Sequence, residues 1–488
     1  MGILINLVCA FVAWKTYSFA AALRSVNYIP GMRPPFSPLS LFGAILPTSW
    51  WNPGLNWPWE LRKTDVVKQL LGNEGKTHLV KPEELTSALL LWGDNLVSAN
   101  GEMWKRHRRI LAPTFTPTTY SLVVKETIAT YKEMIINENW DGKDSLFISG
   151  FNRIPLRFAL IIIARCGFGL PMSWTEEQPG TMSFGEALAV VSETAIPRLI
   201  LPNWVYKLPI KKLKDLDRAW ATLAKFMHEF VDTRRQDIAN DRETFVQRGD
   251  LFTRLVEAYD GEGKLGLEEQ EVIGNTFTFM FAGHETTACG LNATLGFLAI
   301  YQEEQEKAYR EILDTIPAGE DPTIENITKL RHVLACFNEA LRIYPAGVML
   351  TRDVPVDIPL KVARPVEKTI VLKAGSRMII DMVGIHHNPH TFPNPDKFIP
   401  SRWYEVPEHD VSIFGAGPRA CIGRKFSHTE ALTFLALFLR EWKIDIVLAE
   451  GESREVYEER VMGKAGRVGL AFGVGEISLK LTRRVALS

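Results

Sequence analysis

Cysteine is scarce in this chain: five residues in 488, with no C-x-x-C pair among Cys9, Cys166, Cys289, Cys336 and Cys421. That scatter argues against a disulfide framework or a structural zinc site, and it fits a reducing compartment. An excess of one charge is missing as well. The formal net charge is -1 and no long basic run occurs, which speaks against nucleic acid as the main partner. There is no internal repeat and no low-complexity tract. A clean apolar run is also lacking. Residues 3–23 are mostly apolar but are broken by Asn6 and Lys15, and the best stretch, Leu7 to Trp14, is far shorter than a bilayer-spanning helix. What the chain does have is 46% hydrophobic and 10% aromatic residues, enough for a substantial core.

Only Cys421 sits in a glycine-rich run, Phe414 to Gly423, reading FGAGPRACIG and followed by a helical pattern. A cysteine placed there meets the free amides and dipole of a helix N-terminus, which stabilise a thiolate. Small residues before it let the backbone turn tightly and let a flat cofactor approach. Arg419, two residues earlier, could pair with an anionic group on that cofactor. Most lone cysteines in glycine-rich turns are structural. The pattern F-x-x-G-x-R-x-C-x-G, however, arises by chance in roughly one chain in ten thousand of this length. It resembles the haem-ligand signature of the cytochrome P450 family. The resemblance implies haem b with Cys421 as the axial thiolate on iron, and Phe414, Gly423 and the helix amides tuning the sulfur.

Other stretches match the same family in its order. In Gly101–Arg109, Trp104 and Arg108 are four apart and share a helix face. Alone this reads as a solvated basic helix end; the family's W-x-x-x-R implies binding of a haem propionate. Lys105, Arg106 and Arg109 could form part of a positive docking face for an acidic redox partner. The run from Glu268 to about Ile312 has helical periodicity and contains Ala282-Gly283-His284-Glu285-Thr286-Thr287. Gly283 and the threonine pair are poor helix formers, and such local inconsistency hints at function. Phe279, Ala282, Gly283 and Thr286 share one face, small at its centre. Thr286 could simply bond back to a carbonyl one turn earlier. The family's [AG]-G-x-[DE]-T-T motif implies instead that Ala282 and Gly283 lie over the haem and that Thr286 and Glu285 deliver protons. His284 occupies the motif's variable position and is not read as a metal ligand.

Glu339 and Arg342 match the family's E-x-x-R, and Arg402 resembles the second arginine of a buried network that holds the cysteine loop. Residues 347–385 alternate and read as short strands. Phe279, Ala346, Gly347, Val348 and Met349 are expected to line an apolar pocket, Arg352 to bind a propionate, and His386 to be a further candidate. Segments 57–71 and 150–260 read as helical, Pro82 to Asn100 as loop. Ile196–Trp204 reads as a connection that either dips into a membrane or is buried. A glycine-rich hairpin around Gly463–Gly475 and a strand over Ile477–Thr482 close the chain.

The resemblance implies a mainly α fold with a small β region and a long central helix over the haem. The expected organisation is an N-terminal membrane anchor (1–23), a proline-rich connector (24–50) and a single haem-thiolate catalytic domain (51–488). A secretory signal peptide competes for the first segment, but no basic side chain precedes its apolar run. The implied activity is insertion of one atom of dioxygen into a lipophilic small molecule. Too few residues follow Cys421 for a fused reductase, so NADPH and flavins enter only through a separate cytochrome P450 reductase, with cytochrome b5 as an optional donor. The place implied is the endoplasmic reticulum membrane, with the catalytic domain facing the cytosol. Two alternatives stay open: a haem-thiolate peroxygenase or isomerase, and a non-enzymatic haem-binding protein.

Overall fold

The computed structural model describes residues 2–25, 69–72, 79–175, 182–241, 243, 250–259, 261, 266–362, 367–407, 412–463, 465–469 and 471–484. Among them, twelve helices have eight or more residues. They are α1 (Gly2–Ser25), α2 (Glu83–Leu90), α3 (Gly101–Leu111), α4 (Pro117–Asn137), α5 (Arg153–Ile162) and α6 (Phe184–Ile200). Then follow α7 (Lys211–Asn240), α8 (Leu251–Tyr259), α9 (Glu269–Ile300), α10 (Gln302–Thr315), α11 (Arg331–Ile343) and α12 (Arg424–Glu441). Nine short strands accompany them: β1 (Ser145–Ile148), β2 (Met349–Asp353), β3 (Ile358–Val362), β4 (Lys368–Leu372), β5 (Arg377–Asp381), β6 (Trp442–Ile446), β7 (Ala465–Val468), β8 (Ala471–Val474) and β9 (Leu479–Arg483).

The chain divides into two compact units. The larger comprises Glu83–Val348, Asp396–Gly415 and Ala420–Ser488. Its axis is α9, which has no polar face and is buried along most of its length. Helices α5 and α11 and strand β8 pack against it. Its first turn is fixed by a capping box, in which the Glu268 N–H donates to Glu271 Oε2 at 2.9 Å. The helix stops at Ile300, short of the expected Ile312. Tyr301 turns the chain because its hydroxyl donates to Glu458 Oε1 (2.8 Å) and its ring packs on Phe398 (5.5 Å), and α10 then starts at Gln302. Helix α12 lies along α4, where Tyr131 and Phe434 meet edge to face at 6.1 Å, and Phe158 of α5 meets the same ring at 4.7 Å. Antiparallel β1, β9 and β6 form one sheet, and β7–β8 is a hairpin.

Two other expectations change in this unit. Residues 83–90, read as loop, form α2. The Ile196–Trp204 connection is half helix, because α6 continues through Pro197 to Ile200 before a short 3-10 turn at Asn203–Lys207.

The smaller unit comprises Met1–Pro82, Met349–Pro395 and Ala416–Arg419. It contains the antiparallel pairs β2–β5 and β3–β4, as the alternation predicts. Leu70, Leu79, Val354, Ile358 and Leu360 form one apolar cluster; Leu71, Ile380, Met382 and Ile385 form another. Gly417 takes φ +70° and sits so close to the Leu71 carbonyl that a Cβ would lie 2.1 Å from its oxygen, so only glycine fits. The expected anchor is helical over Gly2–Ser25. No helix among the described residues is long and apolar enough to cross a membrane. The connector, apart from residues 24 and 25 at the end of α1, lies outside the described residues, as does most of the helix expected over 57–71.

Candidate active site

The loop before α12 presents Cys421. Gly415 takes φ +74°, and the Cys421 N–H donates to the Phe414 carbonyl at 2.9 Å, folding the loop back on itself. Cys421 is open on one side and closely surrounded on the others. That crowding outweighs the rest and holds its thiol above the ordinary value, although the Gly423 N–H, the charges of Arg108 and Arg424 and the Arg424 N–H pull it down. Cys166, Cys289 and Cys336 are buried, and burial raises their thiols, that of Cys289 to about 12. Cys421 is thus the one cysteine of the larger unit, among the described residues, whose sulfur combines an open side with groups that favour a thiolate.

Helix α3 brings Arg108 to this loop. Its Nη1 donates to the Ala420 carbonyl at 3.4 Å, and desolvation lowers its pKa against the attraction of the Cys421 sulfur. Trp104, one turn earlier, is half-buried against the core. Arg106, expected in a docking face, is paired with Glu271, which His107 also contacts at 2.9 Å. Lys105 is bonded to Glu102 (2.6 Å), which leaves Arg109 as an exposed cation of this turn.

The cysteine loop is braced from α11. Asn338 Oδ1 accepts from His428 Nε2 (3.1 Å), and the Phe414 ring meets His428 edge-on at 4.9 Å. Burial holds His428 neutral, its pKa pushed down to about 3. Next to Asn338, fully buried Glu339 accepts five hydrogen bonds. Oε2 takes Arg342 Nε (2.8 Å) and Trp403 Nε1 (2.9 Å); Oε1 takes Arg342 Nη2 (2.9 Å), the Ile399 N–H (3.0 Å) and Arg402 Nε (3.1 Å). Arg342 also donates to the Lys397 carbonyl at 3.2 Å. The expected trio of Glu339, Arg342 and Arg402 is therefore assembled. Trp403 was missed, although a buried indole N–H always seeks an acceptor.

Central helix α9 is buried from Glu271 to Ile300 except at Phe281, Ala282, Gly283 and Thr286. The opening thus coincides with the motif, while Phe279, expected in the pocket wall, is itself buried. Thr286 Oγ1 donates to the Ala282 carbonyl at 2.7 Å, the back-bond that elementary helix chemistry allows. Thr287 Oγ1 donates to Ser427 Oγ at 3.0 Å and so ties α9 to the cysteine helix. Gly283 has a packing role. A Cβ there would lie 2.6 Å from Ile163 Cγ1, so its smallness admits a neighbouring side chain rather than leaving free space. Glu285 is buried against the hairpin turn, where a Cβ on Gly469 would lie 2.1 Å from its Oε1. The Phe472 N–H donates to the Ala346 carbonyl at 3.1 Å, which sets the hairpin beside Ala346, Gly347 and Val348. Met349, Arg352, His386 and Arg419 belong to the smaller unit, where buried Arg352 donates to the Thr351 carbonyl at 2.8 Å.

These residues fit a haem. Among the described residues no group of three or more His, Cys, Asp and Glu side chains could hold a metal ion. An iron bound at Cys421 must bring its other ligands with it, as a porphyrin does. A desolvated arginine beside an open cysteine suits an anionic, largely apolar cofactor.

The cytochrome P450 family model matches residues 60–463. Cytochrome P450 monooxygenase 124 of Postia placenta is 33% identical over 405 residues, covering 81% of this chain and 77% of that protein. Cytochrome P450 monooxygenase prx9 of Penicillium rubens is 28% identical, covering 81% and 75%. The solved cytochrome P450DA haem domain superposes with a TM-score of 0.66 at 22% identity, over 86% of each chain, and so shares the fold. The chain belongs to the cytochrome P450 family and is a haem-thiolate monooxygenase.

Proposed function

We propose that Cys421 is the axial ligand and that the enzyme oxygenates a lipophilic small molecule with electrons from NADPH, passed on by a separate reductase. The observation that carries this is the open Cys421 sulfur at the N-terminus of α12, where the Gly423 and Arg424 amides and the Arg108 guanidinium offset part of the burial that raises its thiol. Haem, when bound, supplies iron whose thiolate ligand makes dioxygen reactive. The chain's own residues do the rest. The Gly423 and Arg424 amides hold the negative charge on Cys421 Sγ, and Trp104 and Arg108 bind a propionate. Thr286 Oγ1 has its proton committed to the Ala282 carbonyl, so its oxygen is free to accept from an incoming donor. It releases its own proton only when that bond breaks. Glu285, the nearest carboxylate in sequence, replenishes protons to Thr286. Ala346, Gly347 and Val348 offer a small, apolar wall that excludes water and selects a lipophilic substrate.

Membrane association is part of the same reading. In α1, Val12, Trp14, Tyr17 and Phe19 are exposed, and Leu201, Trp204 and Ile210 are exposed between α6 and α7. Such side chains suit an interface with the cytosolic face of the endoplasmic reticulum. Turnover with NADPH, reductase and ¹⁸O-labelled dioxygen tests the function. One labelled atom in the product, with cytochrome b5 at most a modulator, is expected. Product formed from peroxide alone, without reductase, would favour the peroxygenase reading.

A further inference from the structure

One motif residue is left unused by this chemistry. His284 is 3% exposed, and it lines a cavity of about 670 Å³ bounded by α5, the segment Leu170–Thr175, the start of α6 and two phenylalanines of α7. Its Nδ1 lies 2.8 Å from the Met280 carbonyl. A carbonyl can only accept, so Nδ1 carries the proton and Nε2 is left as an acceptor. Nε2 has no hydrogen-bond partner among the described residues. Burial keeps the ring neutral, its pKa pushed down to about 4.

The walls around it are mainly aromatic and aliphatic, with Arg153, Arg157 and Glu186 among them. Phe184 meets Phe226 at 5.9 Å and Phe230 at 5.3 Å, and the Arg157 guanidinium lies 5.6 Å over the Trp174 ring. A neutral acceptor that opens into a cavity lined largely by aromatic and aliphatic side chains can take a hydrogen bond from a ligand donor. We propose that this cavity is a second binding site, distinct from the haem pocket, for a flat apolar molecule that presents one hydroxyl or N–H to His284 Nε2. His284 stands between Gly283 and Glu285, so a ligand here touches the same turn of α9 that carries the oxygen-activation motif.

The test uses the haem-loaded full chain and 1-naphthol, with heat of binding and haem absorption followed together. A saturable event that leaves the haem band unmoved is expected. Ala189, exposed on the cavity lining, becomes a plug in Ala189→Trp, which should remove that event alone. His284→Leu should weaken 1-naphthol by about threefold to tenfold, the worth of one hydrogen bond, and leave naphthalene binding unchanged. The reduced carbon monoxide spectrum reports that each variant is folded; if Ala189→Trp loses it, Met182→Trp takes its place. Three results would overturn the proposal: no haem-silent binding, a silent event that survives the plug, or equal weakening of naphthalene and 1-naphthol in His284→Leu.

Discussion

Removing Glu339 strips acceptors from two guanidiniums, an indole and a backbone amide at once. Arg342 is fully buried, its Nε and Nη2 are both committed to this carboxylate, and the Lys397 carbonyl takes one further bond. In Glu339→Ala the buried Arg342 charge loses this counterion, which costs about 3–5 kcal/mol. Trp403 Nε1 and the Ile399 N–H lose their acceptor too, at about 1–3 kcal/mol for each buried donor left unmet. The sum approaches the whole stability of a typical domain, about 5–15 kcal/mol. The loss falls beside Asn338, whose amide holds His428 and, through it, Phe414. Glu339→Ala should therefore yield little folded protein, and what survives should bind haem poorly. Glu339→Gln separates charge from shape. Its amide offers one acceptor oxygen and one NH₂, so the donors facing the NH₂ are repelled, and haem retention should fall between wild type and Ala. Thermal melts and haem content per chain measure both effects. A Gln variant with wild-type melting and full haem would refute the claim that the buried charge network holds the cysteine loop.

Three further outcomes follow from single contacts. Thr286→Ala should keep haem and the thiolate spectrum but divert NADPH-derived electrons to peroxide; unchanged coupling of NADPH to product would remove Thr286 from proton delivery. Glu430 is fully buried, its carboxyl oxygens have no hydrogen-bond partner among the described residues, and burial raises its pKa well above the usual range. The unfolded chain releases that proton above about pH 4.5 while the folded chain keeps it, so folding stability falls as pH rises, by up to about 1.4 kcal/mol per unit. Glu430→Gln should flatten this slope in denaturant titrations, and an unaltered slope would contradict it. Gly417→Ala forces a left-handed backbone, at about 1–2 kcal/mol, and drives a methyl into the Leu71 carbonyl; melting should drop and haem be lost, whereas a wild-type melt would show that the loop tolerates the side chain.

Features carried by neighbours in sequence were readable, and features set by distant partners were not. The Cys421 loop is defined by its own glycines and the helix after it, and the Glu339–Arg342 pair by its i, i+3 spacing. Where α9 ends is decided by Tyr301 reaching Glu458 and Phe398, which no periodicity in 269–312 records. Arg106 looked like surface charge because Glu271, its partner, lies 165 residues away. Gly283 looked like space above a cofactor, but Ile163 fills it. Ala282 and Thr286 are among the few half-buried positions of α9, and both lie in the stretch whose small and polar residues depart from an ordinary helix core.

The central claim is that Cys421 ligates haem iron as a thiolate, and the carbon monoxide difference spectrum of the reduced protein tests it most directly. The account predicts a strongly red-shifted Soret band in the wild type and its loss in Cys421→Ala. A wild-type band at the position of a histidine or neutral-thiol complex, or a red-shifted band that survives in Cys421→Ala, would contradict it.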